Sequence, residues 1–431
     1  MTSRPRGGHY PLAVILLALD LVRLAGLSLR AAAAALAILA QHGYGPAETP
    51  SASTIRLWLI RLGCACLSRP LPAAGPWVWL VDHTLQIGPH KLLVILGCPL
   101  SRVPFGQRPL AFADVELIAA VAMTASNQEL VDDELEKATA RTGIPAEIVS
   151  DDGSDLRGGI RRFQQRHGQT RSAVDVAHAA ANLLKHYREN DARWQQFTQQ
   201  MHQTAATIRQ TSAAYLLAPK VRGKARYMNV AVYVRFGRLL LRHLQMAQPR
   251  QEVLKHYGWV LDFARDIGVW DEQHACVQVL LAEVREQGLF SRSRERLEEQ
   301  WQALALSEEP TTQRLLNRLR GYVTRHTAGL KPGERLVGST EILESLFGVL
   351  KRLSGEQAQS GLTSLTLSLG ALVGTHTPET VRQDLEAVPE KQAQGWAKRL
   401  LGRTVQWLRR QFARVTNAGS AEEQPPEPVL G

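Results

Sequence analysis

A chain of 431 residues is long enough for two or three domains with separate cores, and 45% hydrophobic with 6% aromatic residues is a globular mixture that excludes a fibrous or wholly disordered protein. Its 51 Lys and Arg against 40 Asp and Glu leave a formal charge of +11, which favours a polyanionic partner because Lys and Arg displace counterions from phosphate.

In chain order, the apolar stretch from Pro11 to Leu39 comes first. Asp20, Arg23 and Arg30 interrupt it, so no charge-free run reaches the roughly 18 residues of a membrane span. No signal-peptide cleavage pattern follows, and a cytoplasmic protein with no membrane contact is expected. Ser28 is placed to cap a helix running from Leu29 and Arg30 through an alanine run to Leu39. Gly43, Gly45, Pro46 and Pro50 break it. A second helix starts at Ser51 or Ser53 and carries Arg56, Trp58 and Arg61 to Gly63. Two helices around a turn, the second basic near its start, have the layout of a helix-turn-helix DNA reader over residues 1–70, with a plain helical hairpin as the alternative.

Pro70 to Pro76 reads as a linker, after which the pattern changes to strands. Trp77 to Val81 is a continuous apolar run ending at Asp82, Gly88-Pro89 marks a turn, and Leu92 to Leu96 is a second buried-type strand. Leu117 to Met123 is a third, although its alanines also suit a helix. Asn127 to Thr142 is a polar helix stopped by Gly143 and Pro145, and Ile148-Val149 leads a fourth strand into Asp151. A helix over Asp155 to His167, a short strand near Val174 to Val176 and a helix to Tyr187 complete this part, residues 71–187. Residues 188–330 hold only helical spacing, an all-helical insertion whose apolar residues read as bundle core. Residues 331–415 supply final helices, with Ser339 to Leu353 as one of them, and 416–431 read as a disordered tail. Cys64, Cys66, Cys98 and Cys276 form no disulfide or zinc framework and are expected to be free buried thiols of a reducing compartment.

Three carboxylates stand out. Asp82 ends the first strand, Asp151 ends the fourth, and Glu344 sits in a late helix; taken singly, each has a bland reading as turn former or solvated face. If the first and fourth strands are parallel neighbours, Asp82 and Asp151 project from adjacent carboxyl ends, the edge where sites form in α/β sheets. Phosphodiester chemistry needs such a cluster, because bare carboxylates repel an anionic backbone unless divalent ions bridge the charges. Asp152 and Glu341 are near enough in sequence to exchange roles with their neighbours.

The segments Trp79-Leu80-Val81-Asp82-His83-Thr84, Ile148 through Leu156 (with Asp151-Asp152-Gly153-Ser154-Asp155), Asp175-Val176-Ala177-His178 with Asn182 to Lys185, and Ser339 through Lys351 carry a family likeness. The sequence resembles DDE transposases of bacterial insertion sequences over most of residues 20 to 375, thinly through the helical insertion. The resemblance implies an RNase H-like mixed α/β sheet flanked by helices, interrupted by an all-α insertion and preceded by a DNA-binding domain. It also implies a catalytic, metal-binding triad of Asp82, Asp151 and Glu344 on two Mg²⁺ or Mn²⁺ ions. Where some relatives carry a Tyr and an Arg before the glutamate, this chain has Val337 and Thr340; the downstream lysine is present as Lys351.

The implied activity is nicking at element ends and strand transfer into target DNA, with double-stranded terminal repeats and target as partners and a homodimer on DNA. A nuclease on the same core and a non-catalytic, repressor-like DNA binder are the alternatives. Candidate DNA contacts are Arg30, Arg56, the loop cations Lys220, Arg222, Lys224 and Arg226, and Lys351 with Arg352. His83, Asp175 and His178 are supporting candidates, each with a local hydrogen bond or helix cap as the plainer role.

Overall fold

The computed structural model describes residues 3–46, 48–72, 75–85, 91–123, 125–219, 230–354, 363–401, 407 and 409–414. It divides into two compact units, one made of Met1–Val103, Leu110–Ser172 and Thr340–Gly431, the other of Pro104–Pro109 and Ala173–Ser339.

The first unit opens with α1 (Leu12–Arg23), α2 (Leu29–Gln41) and α3 (Ala52–Ser68). Ser28 and Ser51 cap the second and third by accepting from the Ala31 and Thr54 amides, as the sequence indicates. β1 (Trp77–Leu85), β2 (Lys91–Pro99), β3 (Glu116–Met123), α4 (Gln128–Thr142), β4 (Glu147–Ser150), α5 (Ser154–Arg166) and β5 (Arg171–Val174) follow. The five strands form one sheet in the order β3-β2-β1-β4-β5. β1 pairs antiparallel with β2 and parallel with β4, and β2 pairs antiparallel with β3. The alanine-rich third segment is therefore a strand, held by its ladder with β2.

Two expectations shift. β1 does not stop at Asp82, because β2 offers partners as far as Leu85↔Lys91, whereas pairing with β4 ends at Val81↔Ser150. The fifth strand lies earlier than Val174 to Val176, because Asp175 already caps the next helix through the His178 amide. The turn at Gly88-Pro89 and the tail 416–431 lie outside the described residues.

The second unit runs through α6 (Val176–Glu189), α7 (Ala192–Ile208), α8 (Val230–Leu244), α9 (Gln251–Tyr257), α10 (Ala264–Gln287), β6 (Leu289–Phe290), α11 (Ser293–Gln302), α12 (Pro310–Thr327) and β7 (Arg335–Leu336). It begins before residue 188 and ends after 330, because Val176, Ala180, Leu184 and Leu336 share a core with Leu280, Trp301 and Leu319. A second core gathers Trp194, Phe197, Tyr257, Phe263 and Trp270. β6 and β7 pair antiparallel over two residues each, so the region read as purely helical contains a minimal ladder. Arg188 is buried in this unit, its guanidinium 5.3 Å from the Trp194 ring and 5.7 Å from Trp270 while donating to Gln273 Oε1 at 2.6 Å.

The first unit is completed by α13 (Glu341–Ser354), a 3₁₀ turn (Ser364–Ser368), α14 (Leu369–Leu372), α15 (Pro378–Ala387) and α16 (Glu390–Leu401). These close around α3, which touches α14, α15, α16, the 3₁₀ turn and β3. The helix-turn-helix expectation is corrected here. α3 buries Ile55, Trp58, Leu59, Ile60, Leu62, Cys64, Ala65 and Cys66 around most of its circumference, and a helix apolar all round is a core helix rather than a displayed reader. Its Arg61 donates to the carbonyls of Leu385 and Val388, satisfying the last turn of α15. All four cysteines are free and buried, and burial pushes the Cys66 thiol up to about 12.

Where α14 runs on toward α15, Arg23 donates to the Gly374 carbonyl and His376 Nε2 lies 2.8 Å from the Val373 oxygen. Burial, reinforced by the Arg23 charge, pushes His376 down to about 4. In the unfolded chain it would protonate near the ordinary value of about 6.5, so between about pH 6.5 and 4 the unfolded chain takes up a proton that the folded chain refuses. Stability from this residue is full above that window and lost as pH falls through it, by at most about 3 kcal/mol. Urea midpoints measured from pH 7 to 4 should fall, and His376→Gln should flatten that part of the decline; an unchanged slope would remove His376 as the cause.

Candidate active site at the β1–β4 edge

Successive β1 side chains alternate between the two sheet faces. Trp77, Trp79 and Val81 join a core with Val131 and Leu135 of α4 and Leu156, Ile160 and Phe163 of α5. Val78, Leu80, Asp82 and Thr84 therefore belong to the opposite face. α13 contacts β1 and contributes none of its buried side chains to the α4–α5 core, so it covers the face that carries Asp82.

The register fixes the two aspartates. Val81 is paired with Ser150, and Asp82 and Asp151 are the next residue on each strand. Asp82 is buried to 8% exposure, with Oδ1 accepting from the His83 amide at 2.6 Å. Asp151 is half-buried, and its Oδ1 accepts from the Gly153 amide at 3.0 Å, which closes the turn into α5. A side chain at residue 153 would place its Cβ only 3.0 Å from that oxygen, so glycine keeps the turn tight against Asp151.

Glu344 is the fourth residue of α13, in its first turn rather than deep in the helix. It is half-buried and flanks the stripe of Leu343, Leu346, Phe347 and Leu350, whereas Glu341 is exposed. Among the described residues, no group of three His, Cys, Asp or Glu is close enough to hold a metal ion. The fold thus makes Asp82 and Asp151 neighbours without closing them and Glu344 into one cluster.

On the other face, His83 joins a polar network that sequence reasoning missed. The Ser126 hydroxyl donates to Asp155 Oδ2 at 2.6 Å and lies 3.2 Å from His83 Nε2, while Lys91 Nζ stands 3.4 Å from the same carboxylate oxygen. Burial works against ionising Asp155, yet the Ser126 hydroxyl, the His83 charge, the Leu156 amide and Lys91 together hold its carboxyl below the usual range. Burial likewise pushes His83 down, against the pull of Asp155 and Asp151. The signal was present in Asp155, four residues after Asp151 and in the first turn of α5, but nothing in the sequence tied it to Ser126 or Lys91.

The other candidates scatter. Asp175 is 1% exposed and caps α6, and its Oδ2 also lies 3.0 Å from His178 Nδ1; both belong to the second unit. Arg30 is exposed in the first turn of α2. Arg56 is half-buried, donates to Ser364 Oγ at 2.5 Å and has its pKa lowered by burial, so it is not displayed as a reader of base edges. It lines a cleft of about 550 Å³ with Ser53, Thr54, Glu390 and Lys398. Lys351 and Arg352 are exposed in the last turn of α13, and Lys220, Arg222, Lys224 and Arg226 lie outside the described residues. No described helix is long and apolar enough to cross a membrane.

No family model matches this chain, and no curated protein matches it. Among solved structures it is similar to a chain of the Drosophila P element transposase strand transfer complex, at 11% identity and a TM-score of 0.41, covering 88% of this chain and 93% of that one.

Proposed function

We propose that the first unit is an RNase H-like catalytic core and that the protein is a DNA transposase of the DDE type, nicking DNA at element ends and joining the freed 3′ end to target DNA. One observation carries the reading: the parallel β1–β4 register brings Asp82 and Asp151 to neighbouring positions, under the sheet face that α13 covers with Glu344 at its start. The strand order β3-β2-β1-β4-β5, with an antiparallel β2, supports it, because it sets two acid-bearing strands side by side in the middle of the sheet.

The three acids fit Mg²⁺ or Mn²⁺ by donor type, since hard divalent ions take oxygen ligands. Two such ions, held by Asp82, Asp151 and Glu344, would activate an attacking oxygen and stabilise a leaving one during in-line displacement. The chain's own part is positioning. The His83 amide fixes one oxygen of Asp82, the Gly153 amide fixes one oxygen of Asp151, and the buried stripe of α13 holds the backbone of Glu344. Two copies on paired DNA ends would complete the reaction.

The test uses supercoiled plasmid carrying the DNA that flanks this gene, with and without Mg²⁺. Nicking by the wild type and its loss in Asp82→Asn, with DNA binding kept, is the expected pattern. Metal-dependent nicking that survives Asp82→Asn would overturn the assignment, and binding with no cleavage under any metal would leave a DNA-binding protein without this chemistry.

A further inference from the structure

The charge of the chain is unevenly shared. Residues 104–109 and 173–339 hold 25 Lys and Arg against 16 Asp and Glu, whereas the remaining 258 residues hold 26 against 24. Within the helical unit, α12 is the sharpest case, with four arginines and no acid in eighteen residues. Arg320 is spent on Glu298, whose two carboxylate oxygens lie 2.6 and 2.8 Å from its guanidinium nitrogens. Arg314, Arg318 and Arg325 remain exposed, and among the described residues neither Arg318 nor Arg325 has an ion-pair partner.

At about 100° per residue these three arginines and Gly321 fall within one narrow arc of α12, opposite the buried Leu315, Leu319, Tyr322 and Val323. The rise of about 1.5 Å per residue makes the ridge about 16 Å long. In its middle, Gly321 leaves a notch, since a Cβ there would meet nothing within 4 Å. Arg325 also suits the negative end of the helix dipole, but Arg314 and Arg318 lie outside the last turn where that effect acts, so the dipole does not explain the row. α8 is different: its Arg238 is tied to Asp271, and exposed Leu239 borders its basic face.

We propose that the Arg314–Arg318–Arg325 ridge of α12 docks the phosphate backbone of duplex DNA. The proposal rests on the DNA reading above and gives it a surface. A row of cations beside a gap suits a polyanion that carries one charge per about 1.7 Å of duplex axis, and it asks for no base contact. Binding through the ridge is therefore indifferent to sequence and sensitive to salt.

The experiment follows a labelled duplex of about 30 base pairs and arbitrary sequence by fluorescence anisotropy against the full-length protein, from about 50 to 300 mM NaCl. Three variants are compared with wild type: the triple Arg314→Gln/Arg318→Gln/Arg325→Gln, the single Gly321→Glu, and the charge-matched Arg6→Gln/Arg102→Gln/Arg265→Gln. The triple variant should lose about 2 to 3 from the slope of log K against log salt and bind at least about tenfold more weakly near 100 mM. Gly321→Glu sets an anion in the notch while improving helix propensity, so weaker binding by a protein at least as resistant to urea separates repulsion from misfolding. A triple variant that matches wild type, or falls no further than the charge-matched one, overturns the ridge and leaves the DNA reading standing. Wild type that binds no duplex at any salt, or binds only anionic lipid vesicles, overturns both.

Discussion

Glu344→Gln is expected to lower Mg²⁺-dependent nicking by more than about 100-fold, while Glu341→Gln keeps activity within about tenfold of wild type. The magnitude follows from comparison: residues that only support a metal ligand typically cost about 10–100-fold when replaced, so a ligand itself should cost more. The choice between the two glutamates follows from helix geometry. Leu343, Leu346, Phe347 and Leu350 define the buried side of α13. At about 100° per residue, Glu344 lies next to Phe347 at the margin of that side and in line with Lys351, whereas Glu341 lies on the far side and is exposed. Glu341 also has an adequate structural reason to exist, as an acid at the positive end of the helix. DNA affinity should be unchanged in both variants. Loss of nicking in Glu341→Gln alone would transfer the third acid to that position.

The second large effect is on stability. Gly63 lies within α3, where an added Cβ would stand 1.7 Å from the Leu367 carbonyl oxygen and 3.0 Å from the Ser368 Cα. Across the same contact, a Cβ on Gly370 would meet the Cys66 Cβ at 2.6 Å. Gly63 thus lets α3 approach the 3₁₀ turn backbone to backbone, and Gly370 does the same for the start of α14. The obstacle to a larger residue is main chain, which cannot rotate away, so Gly63→Val should cost about 3 kcal/mol or more, at the upper end of overpacking penalties. Gly268→Ala in α10 is the control: that glycine is exposed with nothing within 4 Å of its missing Cβ, and the change should be neutral or stabilising by up to about 1 kcal/mol. Urea denaturation of both variants decides the matter. Equal midpoints would mean that α3 and its partner can move apart without loss.

Much of the sheet was legible because its strands are continuous apolar runs closed by recognisable residues. Trp77 to Val81 and Ile148-Val149 announce buried strands, and Ser28, Ser51, Asn127 and Asp175 cap the helices that follow them. Pairing was not legible, which is why β1 was read as ending at Asp82: only the presence of β2 alongside carries it to Leu85. The fate of α3 was misread for an identifiable reason. Arg56 and Arg61 suggest a displayed basic helix, but Ile55, Trp58, Leu59, Ile60 and Leu62 already leave few polar positions for a solvent face. The basic residues of such a helix find carbonyls and hydroxyls inside the protein, as Arg56 does at Ser364 and Arg61 at Leu385 and Val388. The Ser126–Asp155–Lys91 network could not be read ahead, since its members come from three elements whose proximity is a property of the folded sheet.

The chain order of the two units sets a timetable for synthesis. Ala173–Ser339 is nearly continuous, so its helices can pack as soon as they leave the ribosome, whereas the first unit is written in segments on either side of it. A nascent chain that stops before Thr340 holds both aspartates and the whole sheet, yet lacks α13, which contacts β1, and α14, α15 and α16, which surround α3. One face of the sheet and most of α3 would then stand open to water. Glu344 is made after both aspartates but before α14, α15 and α16, so a growing chain holds all three acids while the helices that close around α3 are still to come.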